Sequence, residues 1–155
     1  MSEPQDFQGS AVALIERVRT EIPLTAAMQL TAKSFDGRTL VLGVPLAANF
    51  NDKGTAFAGS ITALGNITGW CLLTLWAGQE TGPCRVAIYD AHFRFPKPLT
   101  GDFTATVSLP AAGECEALRA AITQKGKGKI SLRISLADAG GEAASLEGAY
   151  AIWRA

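Results

Sequence analysis

Apolar and polar positions along this 155-residue chain change period several times, and each change marks an element. Val12, Leu14, Ile15 and Val18 recur at helical spacing, so a first helix is predicted over residues 11–21, with Ser10 as its cap and Pro23 as its stop. Residues 1–9 read as a loose tail. The period then drops to two. Residues 25–35 and 38–46 alternate as strands around Asp36-Gly37, a pair that tolerates the positive φ of a hairpin turn. From Gly54 to Gln79 no residue carries a charge, and apolar side chains occupy nearly every helical face. A helix apolar all round is a buried one. Residues 58–78 would span about 30 Å, the diameter of a small domain, and Gly78 is the expected end.

After Gly82-Pro83 the period returns to two. In the strand predicted over 84–95, Tyr89, Ala91, Phe93 and Phe95 share one face, and Ile88, Asp90, His92 and Arg94 the other. Another strand is expected over 101–109. A short helix is expected over 114–125, although that stretch also reads as continued strand. A hairpin of 129–136 and 143–153 closes the chain around Ala139-Gly140-Gly141. One long buried helix among antiparallel strands describes an α+β domain over residues 10–155 whose curled sheet wraps the helix, the hotdog arrangement.

The loop before that helix carries a resemblance. Asn51-x-x-Gly54-Thr55-x-Phe57-Ala58-Gly59-Ser60 resembles the loop-to-helix motif of hotdog-fold thioesterases, N-x-x-G-x-x-H-G-G or N-x-x-G-T-x-H-A-G. Within that superfamily the chain looks closest to the thioesterase domain found C-terminal in some bacterial acetyltransferase fusions (YiiD C-terminal-like), over roughly residues 20–155. The resemblance implies an acyl-thioester hydrolase acting in a tunnel at a dimer interface. It assigns oxyanion binding to the second glycine of the motif, here Gly59. The sequence departs from the pattern twice. Phe57 stands where many relatives have His, and nine positions on, where they carry an acidic residue, stands Asn66.

Chemistry can be read from the residues themselves. Ala58, Gly59 and Ser60 would present helix-start N–H groups that have no intrahelical partner, and Gly59 lets a carbonyl approach backbone closely. Such a donor is worth about 3 kcal/mol to an oxyanion. Close helix–sheet packing is the other use of a glycine there. Asn66 lies on the Gly59 face, with Thr62 between. Its amide orients water or a carbonyl but takes no proton, and lacking a general base typically costs about 10²–10⁴ in rate. Asp90 and Asp52 are the candidate bases, with His92 one pleat from Asp90. That pair either lines the site or faces solvent beside Arg94. Asn49 and Asn51 either bind the thioester region or shape the loop. Lys125-x-Lys127-x-Lys129 is either a grip for the phosphates of the thioester's carrier or a solvated turn.

Composition narrows the partners. Fourteen basic and 14 acidic residues cancel, which argues against nucleic acid. Hydrophobic residues make up 48%, enough for a proper core, and a homodimer or homotetramer is expected. Three cysteines without a C-x-x-C pair suit a reduced, cytoplasmic setting. The polar N-terminus does not read as a signal peptide. Glycines and hydroxyls in the uncharged run favour a buried helix over a membrane span. A lone His without a Cys/His pair makes a metal site unexpected. No G-K-[ST] phosphate loop and no G-x-S-x-G elbow occurs. No cofactor is expected beyond the coenzyme A or phosphopantetheine of the substrate. A non-catalytic acyl-thioester or fatty-acid binder is the alternative, and a hotdog dehydratase or hydratase a weaker one.

Overall fold

A computed structural model describes residues 3–155. Helix α1 (Phe7–Glu21) begins before Ser10, because Asp6 is its cap: the carboxylate accepts the Gly9 N–H at 2.8 Å. Residues 7–9, expected in the tail, are therefore its first turn, while residues 1–2 of that tail lie outside the described residues. Pro23 does end α1, but it also starts α2 (Pro23–Ala27) from the first helical position, where its missing N–H costs nothing. The strand expected over 25–35 shrinks accordingly to β1 (Thr31–Phe35). Strand β2 (Thr39–Val44) follows the Asp36-Gly37 turn, in which Gly37 has φ +96°.

The central helix α3 (Ala58–Glu80) runs two residues past Gly78 and is capped at Thr81. It is long and apolar enough to cross a membrane by length and composition, but it packs instead against β2 to β6. The chain continues through β3 (Cys84–Arg94), β4 (Phe103–Ser108), α4 (Ala112–Lys125), β5 (Lys127–Asp138) and β6 (Gly141–Arg154). The stretch read as helix or strand is thus α4, closed by Gly126 in the left-handed region at φ +76°. It packs on β5, whose pairing with β4 ends at Ile134.

All six strands form one antiparallel sheet in the order β1-β2-β4-β5-β6-β3. Leu40, Leu42, Leu132, Ile134, Leu136, Leu146 and Tyr150 point from it into the core around α3. Two glycines let the helix lie close. A Cβ on Gly65 would stand 3.1 Å from the Phe93 ring, and one on Gly69 would stand 2.1 Å from the Tyr150 hydroxyl. That hydroxyl donates to the Asn66 carbonyl at 3.1 Å. Side chains therefore fill the space between α3 and the sheet at mid-helix.

Strand β3 departs from simple alternation. Ile88 pairs with Tyr150 and Asp90 with Ala149, so Tyr89 is an extra residue bulged out of the ladder. Ile88 therefore shares the helix-facing side with Ala91 and Phe93, while Asp90, His92 and Arg94 turn to the far side. The predicted grouping of Ile88 with Asp90 and His92, and of Tyr89 with Phe93, is corrected by this one bulge.

Candidate active site at the start of the central helix

Asn51 builds the loop that leads into α3. Its Oδ1 accepts the N–H groups of Lys53 (2.8 Å) and Thr55 (3.2 Å), and its Nδ2 donates to Thr55 Oγ1 (3.0 Å) and the Ala56 carbonyl (3.3 Å). Asn49 is 3% exposed, and its Nδ2 donates to the carbonyls of Met28 (3.0 Å) and Pro45 (2.8 Å). Its own carbonyl takes the Phe57 N–H at 2.8 Å. Both asparagines thus shape the loop, Asn51 through bonds within it and Asn49 by tying it to Pro45 and to Met28. Ala56 is tied to the Leu99 carbonyl at 2.9 Å, which joins the loop to the segment after β3.

Phe57 is the cap position, in extended backbone and with no side-chain acceptor to offer. Among the described residues the N–H groups of Ala58, Gly59 and Ser60 have no partner, and Ile61 N–H is the first to find one, on the Phe57 carbonyl at 3.0 Å. Three donors at the positive end of a 23-residue helix make a ready cradle for a developing negative charge. Phe57 is 54% exposed and its ring folds back over Gly59, within 2.2 Å of where a Cβ would be. Thr62 donates its hydroxyl to the Gly59 carbonyl at 3.0 Å.

Asn66 sits about two turns along the same face. Its Oδ1 is shielded from solvent and has no hydrogen-bond partner among the described residues. An acceptor left in that condition costs about 1–3 kcal/mol until a donor reaches it. Trp70, one turn further, donates its indole N–H to the Val86 carbonyl of β3 at 2.9 Å. Gly59, Ala63, Asn66 and Trp70 fall on one line at spacings of three and four. In the sequence Gly59 and Asn66 are legible as one face, with Thr62 rather than Ala63 between them, and Trp70 reads as filling another face of a buried helix.

The candidate bases are not gathered here within one chain. Asp90 and His92 lie on the sheet face opposite α3, next to Ser131, Arg133 and Glu147. Asp52 is in the loop but solvent-exposed, bonded to Lys53 at 3.0 Å, and that ammonium holds its carboxyl below the usual range. Lys129 rests over the Tyr89 ring, 4.9 Å from its centroid. Cys71, Cys84 and Cys115 are all free thiols, and burial pushes those of Cys71 and Cys115 upward. No group of three or more His, Cys, Asp or Glu among the described residues could hold a metal ion.

A curled six-stranded antiparallel sheet around one long helix, entered through a loop that leaves free amides at its start, defines a hotdog-fold protein of the thioesterase type. The sequence model of the family described as "Putative thioesterase (yiiD_Cterm)" matches residues 11–154, and the chain belongs to that family. A solved protein of unknown function from Chlorobaculum tepidum is similar at 26% identity, with a TM-score of 0.87 and 94% of each chain covered. One described as a "putative thioesterase" from Shewanella oneidensis is 28% identical, with a TM-score of 0.84, 95% of this chain and 99% of that one. A third, from Pseudomonas aeruginosa and described as a "probable thioesterase", shares the fold at 23% identity, with a TM-score of 0.78, 91% of this chain and 94% of that one.

Proposed function

We propose that this chain hydrolyses an acyl thioester of coenzyme A or of an acyl-carrier phosphopantetheine at the start of α3. The observation that carries the reading is the row of unpartnered amides at Ala58, Gly59 and Ser60. The thioester carbonyl oxygen approaches these donors over Gly59, and the charge that gathers on it in the tetrahedral intermediate strengthens each bond. Asn66 Oδ1 accepts one hydrogen of the attacking water. The second proton passes to a carboxylate, the C–S bond breaks, and the thiolate leaves to be protonated. Of the two candidate carboxylates, Asp52 shares the loop with the amides, whereas Asp90 lies on the sheet face opposite α3. Phe57 replaces an imidazole with an apolar ring, which suits an acyl group and excludes water.

A second copy completes the site in this reading. Strand β3 is an 11-residue strand paired on one side only, beside exposed Tyr89 and Phe95. Such an edge calls for a partner. Hydrolysis of short, medium and long acyl-coenzyme A, with products separated, tests the reaction, and Asp52→Asn and Asp90→Asn assign the base. The proposal fails if the pure protein turns over none of them. A binding role is favoured by one observation: among the described residues, Asp90 and His92 turn to the sheet face opposite α3, away from Gly59 and Asn66. Tight binding without turnover establishes that role instead.

A further inference from the structure

We propose that Trp70 is the stop that limits the length of acyl chain the site accepts, an inference that rests on the acyl-thioester reading above. The space between α3 and its own sheet is closed to a ligand, since Phe93, Leu146 and Tyr150 fill it against Gly65 and Gly69. What remains continuous with the free amides is the uncharged, half-buried lane of Ala63, Asn66 and Trp70 along the side of α3 that faces the free edge of β3. An acyl chain whose carbonyl sits at Gly59 must follow this lane. Eleven residues on, about 16 Å along the axis, it meets the indole.

Trp70 is fixed there. Its N–H is held by the Val86 carbonyl, so the ring bridges helix and edge strand and cannot swing away without losing that bond inside a partly desolvated seam. Beyond the ring the surface opens again. One turn on, Thr74 lines an open groove of about 480 Å³ between α1 and α3, where Ala13, Leu14 and Leu75 alternate with Ser10, Arg17 and Gln79. Trp70 therefore stands between the lane and this groove, one turn short of Thr74.

The test uses coenzyme A thioethers of graded chain length, which bind but cannot be hydrolysed, titrated by calorimetry beside hydrolysis of the matching thioesters. Affinity of the native protein is expected to rise with chain length, then fall by about tenfold or more once the chain exceeds the lane, the scale of penalty for overfilling an apolar pocket. Trp70→Ala is expected to abolish that fall, and Trp70→Leu to move it to longer chains. Trp70→Phe, which keeps an aromatic ring but not the bond to Val86, is expected to keep it. Circular dichroism and thermal melts of each variant check folding, and Trp70→Leu carries the test if the alanine variant unfolds. A length profile identical in native and Trp70→Leu proteins overturns the proposal while leaving hydrolysis intact. A shifted profile without turnover by any variant supports the stop and removes only the hydrolytic reading. Failure of the native protein both to bind any thioether and to hydrolyse any thioester overturns both.

Discussion

At the scale of single residues, two glycines of α3 do different work. A methyl group on Gly59 would meet only the far end of the Phe57 ring, which is half exposed and free to move aside. Gly59→Ala should therefore leave the melting temperature equal or higher, because alanine is the better helix former by about 1 kcal/mol. It should lower kcat/KM by about 10²-fold, because the methyl stands where the thioester carbonyl must come. A fall in stability in step with activity would show that Gly59 serves packing instead. Gly69 is the opposite case. Its neighbour is the Tyr150 ring, fully buried and with its hydroxyl anchored to the Asn66 carbonyl. Gly69→Ala should cost about 1–3 kcal/mol by overpacking, and Tyr150→Phe about 1 kcal/mol for the lost bond. The double variant should be more stable than the sum of these losses predicts, since it removes the atom nearest the new methyl. Denaturant titration of the four proteins measures that coupling, and strict additivity would mean the helix simply shifts to make room.

At the scale of elements, two turns carry a pH dependence. Asp36 accepts the N–H groups of Thr39 (2.7 Å) and Arg38 (2.9 Å), and Asp138 those of Thr100 (2.8 Å) and Gly140 (2.8 Å). These bonds favour the ionised carboxylates and hold both below the ordinary value of 3.8. A depressed carboxylate adds stability that is present above its unfolded value and lost as pH falls through its folded one. Asp36→Asn and Asp138→Asn should thus lower the melting temperature near neutrality, and the gap to the native protein should close below about pH 3.8. A gap that is constant with pH would mean that the turns need the side-chain shape and not its charge. Asp36-Gly37 was also the turn most readily seen in the sequence, as were the alternating runs of β2, β5 and β6, where one face is core and the other solvent. The failures have local causes. Alternation in 25–30 misled because Pro23 nucleates a short helix there, and a single bulge defeats any reading of β3 by parity. The loop motif and the free helix amides were legible. Which side of the sheet Asp90 and His92 occupy was not, because one inserted residue decides it.

At the scale of the whole molecule, the sheet has unequal margins. Strand β1 is five residues long and is covered by α1, whereas β3 offers a long unpaired margin next to half-buried Ile67 and Trp70. Light scattering should return at least twice the chain's 16.2 kDa, and a monomer at micromolar concentration would leave the proposed tunnel without its second wall. Tyr89 makes the same margin unusually forgiving of genetic accident. Every other position in the middle of β3 fixes the address of all that follow, so losing one codon there exchanges inside for outside. Losing the codon for Tyr89 merely straightens the strand: Ile88 still meets Tyr150, and the next residue still meets Ala149. A Tyr89 deletion should therefore yield soluble, folded protein, while deletion of Ala91 should not. In the frame of the pleat, Tyr89 is the one letter of this strand that can be erased without changing how the rest is read.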